Sequence, residues 1–210
     1  MDELPGALYV FEGPDGVGKS TIHREIARVL SAYEKPVCAL AFPGSRDGTL
    51  GKLVYKIHHD PALQGIEPPV ALALQLLHVA AHVDAIAREI KSALLRGDIV
   101  LLDRYWWSTW VYGVVAGVPE SVMDALVGIE EYAWGGIAPS IAFLLTRRKP
   151  LRDELDPGNH TALGKAYETV ASRATFPVIR LGNDSTVADA VERVIQALGL
   201  NHVSTRSHDI

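Results

Sequence analysis

Residues 13–20 read Gly-Pro-Asp-Gly-Val-Gly-Lys-Ser and satisfy the whole pattern G-x-x-x-x-G-K-[ST]. Glycine at 13, 16 and 18 lets successive backbone N–H groups curl around phosphate oxygens. Lys19 reaches the β- and γ-phosphates of a nucleotide, and Ser20 offers a hydroxyl to Mg²⁺. A second group stands at Asp103-Arg104, where the apolar run Ile99-Val-Leu-Leu ends in a carboxylate and a guanidinium. A carboxylate so placed holds Mg²⁺ or its water shell, and a guanidinium suits a second phosphate. Taken alone, Asp103-Arg104 reads equally as a surface ion pair or a helix cap. Its meaning comes from the intact phosphate loop.

These groups need elements to aim them. Ala7-Leu-Tyr-Val-Phe11 reads as a buried strand, and the residues after Ser20 carry helical periodicity at Ile22, Ile26, Val29 and Leu30. Strand, glycine loop and helix is the context the motif requires. Further strands are predicted at 37–42, 98–102, 140–146 and 177–181, each short, apolar and nearly free of charge. Helices are predicted at 19–33, 49–59, 69–96, 106–133, 162–173 and 186–198. Gly97 closes the third, and Thr186-Val-Ala-Asp189 caps the last. The alternation predicts an α/β fold: a five-stranded parallel sheet flanked by helices on both faces. In such sheets ligands bind at the carboxyl ends of strands, where both groups fall. The stretch 147–161 is charged and rich in turn formers, and reads as a short lid over the site. Residues 1–203 form one domain in this reading, and 204–210 a flexible tail.

The chain has 210 residues, is 48% hydrophobic and carries a net charge of −5. That balance suits one globular domain and argues against polymeric nucleic acid as a partner, which calls for a basic face. The acidic start Met1-Asp-Glu is no signal peptide, and the one cysteine, Cys38, forms no internal disulfide. A cytoplasmic protein is expected, with no membrane partner. Pro69 to Val83 lacks Asp, Glu, Lys and Arg but is too short to span a bilayer. It reads either as a helix buried in the domain or as a subunit interface, which would make the protein a homodimer.

The residues carry a resemblance. Phe11-Glu-Gly-Pro-Asp-Gly-Val-Gly-Lys-Ser-Thr21 resembles the opening of thymidylate kinases, F-E-G-x-D/E-G-x-G-K-S/T-T. Asp103-Arg-Tyr-Trp-Trp-Ser108-Thr-Trp-Val-Tyr112 is similar to their D-R-Y-x-x-S-x-x-A-Y-Q. Phe42-Pro-Gly-Ser-Arg46 resembles their F-P-x-R, with Arg46 one residue late, and Gly48-Thr-Leu-Gly-Lys resembles the stretch that follows. The order of elements matches over about residues 5–200.

The resemblance implies the P-loop kinase fold and transfer of the γ-phosphoryl group of ATP to a deoxynucleoside monophosphate. Gly13, Gly16, Val17, Gly18, Lys19, Ser20 and Thr21 would bind ATP, with Ser20 and Asp103 serving Mg²⁺. Asp15 would contact the sugar hydroxyl of the monophosphate, Arg46 and Arg104 its phosphate, and Phe42 and Tyr112 would line its site. Gly16 leaves the loop without a cation. The catalytic set would then be Lys19, Arg104 and the lid arginines Arg147, Arg148 and Arg152, the mostly bacterial style of the family.

The base-reading positions differ. Counted back from Asp103, the family's thymine-stacking Phe and hydrogen-bonding Arg fall on His78 and His82, which share a helix face. The family's Gln after Ala-Tyr is Gly113. An imidazole cannot mimic the fixed fork of a guanidinium, so the expectation is a substrate other than plain dTMP, another pyrimidine or a modified one; dTMP read by other groups is the alternative. A His-x-x-x-His metal site lacks a third ligand. Trp106 and Trp110 share a helical face and read as core or as a wall of the base pocket. A nucleoside kinase needs a carboxylate base beyond the second strand, where only Asp47 is near. A nucleotide-binding regulatory module without transfer activity is the reading from a different class.

Overall fold

The five apolar runs become five parallel strands: β1 (Ala7–Glu12), β2 (Val37–Ala41), β3 (Ile99–Asp103), β4 (Ile141–Thr146) and β5 (Val178–Gly182). The structure is a computed structural model and describes residues 4–32, 36–151 and 156–200. The strand order is β2-β3-β1-β4-β5. β1 is therefore central, and its two neighbours come later in the chain. A crevice opens beyond its carboxyl end, at the switch point of the topology. The register pairs Phe11 with Asp103 on one side and with Phe143 on the other.

Helices cover both faces. α1 (Lys19–Leu30) and α8 (Val187–Ala197) pack on one, burying Ile22, Ile26, Val194 and Ile195 with Phe11, Leu101 and Phe143. The other face carries α3 (Ala71–Ala85), α4 (Lys91–Arg96), α5 (Trp106–Val115), α6 (Glu120–Trp134) and α7 (Pro157–Ala171) over a larger core. α2 (Leu50–His59) lies against α3 and is followed by a 3₁₀ turn, Pro61–Gln64. A π turn, Ile86–Ile90, joins α3 to α4, so the predicted helix 69–96 is continuous but not regular.

Three expectations need correction. The predicted helix 106–133 is two helices: Gly117 takes φ 90 and Pro119 precedes α6, a pair that ends one helix and opens the next. Residues 157–161 belong to α7 rather than to the lid. The Asp156 side chain accepts the Asn159 N–H at 2.7 Å, and Pro157 fits the first helical position. The buried tryptophan pair on α5 is Trp107 and Trp110, while Trp106 is half-buried. The α8 cap is as expected: Thr186 and Asp189 form a reciprocal capping box. α3 buries Gln75, Val79, Ala81 and His82 but exposes Leu72 and Leu76, so it is apolar on both the inner and the outer side. Among the described residues no helix is long and apolar enough to cross a membrane. The predicted tail, 204–210, lies outside the described residues.

Candidate active site

The chain turns sharply out of β1 into the phosphate loop. Gly13 has φ 137, and a Cβ there would lie 2.2 Å from the Leu145 carbonyl oxygen of β4, so only glycine fits. The loop feeds α1, whose N-cap Gly18 supplies no side-chain bond. The first N–H groups of α1 are thereby left to a ligand, with the positive end of the helix dipole behind them. Lys19 lies along the loop, its Nζ donating to the carbonyls of Gly13 and Pro14 at 2.7 Å each. Burial, seconded by Arg104, pushes its pKa down to about 7, against the pull of Asp15, Asp103 and Glu12.

β3 brings the second group alongside. Ser20 Oγ donates to Asp103 Oδ2 at 2.6 Å, while Asp103 Oδ1 is buried with no hydrogen-bond partner. An orphaned carboxylate oxygen beside a hydroxyl fits a hard cation. These are the residues expected to serve Mg²⁺.

Arg104 sits at φ 74, in the left-handed region that costs a bulky side chain energy. What holds it is specific. Its N–H donates to the Phe11 carbonyl at 2.9 Å, Nη1 donates to Ser108 Oγ at 2.9 Å, and Nη2 bonds Asp15 Oδ1. Tyr112 completes the cluster, donating its hydroxyl to Asp15 Oδ2 at 2.7 Å. Burial alone would raise the Asp15 carboxyl, but Arg104, Lys19 and the Tyr112 hydroxyl together hold it below the usual range. Asp15 thus forms one cluster next to Lys19 with Arg104 and Tyr112, some ninety residues later in the chain.

The other predicted residues are placed differently. Arg46 does not join Arg104; it pairs with Glu89 of the π turn at 2.7 Å. Standing one residue late after Phe42-Pro43, it projects into a cleft of about 390 Å³ with Ser20, His23 and Asp103 on its wall. Arg147 Nη1 bonds the Asn183 carbonyl, and Arg148 pairs with Asp184 at 3.4 Å, so both lean on the β5–α8 loop. Arg152 lies outside the described residues. The lid segment does touch the phosphate loop, through the Leu151 N–H on the Gly16 carbonyl at 2.8 Å.

His78 and His82 share a face of α3, with ring centroids 6.1 Å apart. His82, though, is 2% exposed, bonds Glu130 Oε2 at 2.8 Å, and stacks on Phe42 at 3.9 Å. It supports Phe42 from beneath rather than lining a pocket. His78 faces His58, 5.1 Å away, and its Nε2 is buried without a partner. Burial and the neighbouring His82, His58 and Arg104 push the His78 pKa down to about 2, so it stays neutral. Gly113 faces α6: a Cβ there would lie 2.5 Å from Met123 Sδ. Any side chain at 113 therefore requires the Met123 side chain to move.

Three residues without an assigned role belong to the site. Glu12, fully buried, accepts the N–H groups of Tyr105 and Ser108 at 2.8 and 3.0 Å, and so caps α5. Burial raises its carboxyl, opposed by Arg104, Ser108, Tyr105 and Lys19. Asn183 Nδ2 donates to the Val17 carbonyl at 2.7 Å and braces the loop from β5. Tyr167 of α7 reaches Ser108 Oγ at 2.8 Å. An acidic residue ending an apolar strand was a visible signal for Glu12. Tyr167 sits at core spacing with Leu163 and Val170 and gave none.

The chain is also similar to known proteins. A family model described as thymidylate kinase matches residues 11–156. The chain is 32% identical over 136 residues to the thymidylate kinase of Symbiobacterium thermophilum, covering 64% of this chain and 60% of that protein. It is 30% identical over 209 residues to the thymidylate kinase of Xanthomonas campestris pv. campestris, covering 94% of this chain and 85% of that one. In three dimensions it superposes on the crystal structure of thymidylate kinase from Ehrlichia chaffeensis with a TM-score of 0.75, over 92% of this chain and 98% of the other, at 21% identity. The last likeness concerns the fold. With a family model over more than half its length, and a relative 30% identical over 94% of this chain, the chain belongs to the thymidylate kinase family.

Proposed function

We propose that the protein transfers the γ-phosphoryl group of ATP to a nucleoside monophosphate, and that the acceptor is dTMP. The observation that carries the reading is the Asp15–Arg104–Tyr112 cluster set directly against a complete phosphate loop. The guanidinium of Arg104 and the Asp15 and Tyr112 oxygens stand beside the loop, as a phosphate and a sugar hydroxyl would require.

The uncapped N–H groups of α1 and the glycine loop receive the donor phosphates, and Lys19 exchanges its loop carbonyls for phosphate oxygens. Ser20 and Asp103 would hold Mg²⁺, which supplies charge neutralisation for the transferred group. Arg104 holds the acceptor phosphate, and Asp15, fixed by Arg104 and Tyr112, accepts from a sugar hydroxyl. The acceptor oxygen is already ionised near neutral pH, since a phosphomonoester has a second pKa of about 6. The chain therefore needs no general base, and alignment with charge stabilisation does the catalysis. Arg147, Arg148 and Arg152 remain the arginines of the lid segment from which a transition-state contact would come.

An acceptor base other than thymine was suggested by residues 78, 82 and 113. His82 is engaged by Glu130 and Phe42, and position 113 by Met123, so neither speaks to the base. The relatives named thymidylate kinase favour dTMP. A coupled ADP-release assay with a panel of monophosphates and nucleosides tests the reading; it equally exposes a nucleoside kinase or a non-catalytic module. The exposed apolar residues Leu63, Val70, Leu72 and Leu76 on and before α3 support a homodimer, which sedimentation velocity checks. The reaction belongs where ATP and nucleoside monophosphates are dissolved, in the cytoplasm.

A further inference from the structure

Ser108 Oγ is the meeting point of three side chains. It lies 2.8 Å from Glu12 Oε2, 2.9 Å from Arg104 Nη1 and 2.8 Å from the Tyr167 hydroxyl. A serine hydroxyl has one hydrogen and two lone pairs. Glu12 accepts and Arg104 only donates, so the Ser108 hydrogen goes to Glu12 and one lone pair to Arg104. The remaining lone pair requires Tyr167 to be the donor. Burial, with Glu12 and Tyr112 near, raises the Tyr167 phenol well above its usual range, so it keeps that proton. Every hydrogen-bonding position of Ser108 is filled, and the bonds run in one sense from Tyr167 and Arg104 through Ser108 to Glu12. Chains of this kind strengthen one another in a dry interior.

Tyr167 and Glu12 are nearly or fully buried, and no water is needed to close the network. Arg104 needs such support. Its backbone sits at φ 74, and its long side chain must be held still to receive an anion. Tyr167 stands on α7, whose closest partner is α5, the helix that Arg104 precedes.

We propose that Tyr167 is a positioning residue for Arg104, acting through Ser108 Oγ and tying the acceptor-phosphate guanidinium to α7. The proposal rests on the reading that Arg104 holds the acceptor phosphate.

The test is a double-mutant cycle on the full chain, with Tyr167→Phe, Ser108→Ala and the pair, read as KM for dTMP, KM for ATP and kcat. Phenylalanine keeps the buried ring and removes only the hydroxyl, so thermal unfolding of Tyr167→Phe stays close to the parent. The expected result is a rise of about 3- to 10-fold in KM for dTMP. KM for ATP stays within about twofold, and Tyr167→Phe adds nothing once Ser108 is alanine. A tyrosine that merely packs would leave both KM values alone. Unchanged KM for dTMP in Tyr167→Phe, or effects of the two substitutions that simply multiply, would overturn the proposal. Failure of the parent protein to phosphorylate any monophosphate overturns the reading of the site itself. An active parent with an unaffected Tyr167→Phe overturns only the relay.

Discussion

Ser20 Oγ and Asp103 Oδ2 meet at 2.6 Å, joining the start of α1 to the end of β3. The bond brings the two halves of the site together, and it leaves Asp103 Oδ1 buried and unpartnered. Asp103→Asn keeps the shape but replaces a carboxylate oxygen with an amide. Turnover at fixed Mg²⁺ is expected to fall about 10- to 100-fold, with the Mg²⁺ activation curve displaced to higher concentration. Steady-state rates across a Mg²⁺ titration check this; an unchanged curve contradicts the assignment of Asp103 to the cation.

Lys19 gives a pH signature. Its pKa is pushed down to about 7 by burial and Arg104, and bound phosphates supply the negative charge that restores it toward the usual lysine value. Nucleotide binding then takes up a proton. The sign follows: well below pH 7 the lysine is already charged and affinity is flat, and as pH rises through 7 affinity falls. Between pH 7 and 8.5 the apparent Kd for ATP is expected to rise about tenfold. Lys19→Arg, charged throughout, flattens that rise. Calorimetry in buffers of different ionisation enthalpy measures the proton directly.

Much of this arrangement was legible in the chain. All five strands, and the two groups at the carboxyl ends of β1 and β3, follow from local signals: apolar runs, glycine spacing, and a carboxylate at a strand end. The missed features are those set by tertiary packing. Arg46 fits a motif shifted by one residue, and that shift sends it to Glu89 on a π turn no periodicity announces. His82 occupies a base-reading position by count, yet Glu130, 48 residues later, claims it. Tyr167 carries core spacing, and only the fold reveals that its hydroxyl ends on Ser108. The break at Gly117-Val-Pro119 was readable and was overridden by the apolar pattern on either side.

Glu130 makes a stability prediction. It is fully buried, accepts from His82 at 2.8 Å and from Trp134 Nε1 at 3.4 Å, and has no counterpart in solvent. Glu130→Ala strands both donors and leaves a gap between His82 and Trp134. The expected cost is on the order of 3 kcal/mol, or a Tm lower by about 6–12 °C for a chain of this size. Differential scanning calorimetry checks it; a shift under about 2 °C contradicts the structural role given to the His82–Glu130 pair.

The central claim is that one phosphate loop and one arginine–carboxylate cluster bring two nucleotides together for transfer. ADP release from ATP, followed with and without dTMP in the parent protein and in Lys19→Ala, measures that most directly. The account predicts ADP formation that depends on dTMP and saturates with it, one dTDP per ADP, and a folded Lys19→Ala variant that has lost most of this turnover. ATP binding with no dTMP-dependent ADP, or near-normal turnover in folded Lys19→Ala, would contradict it.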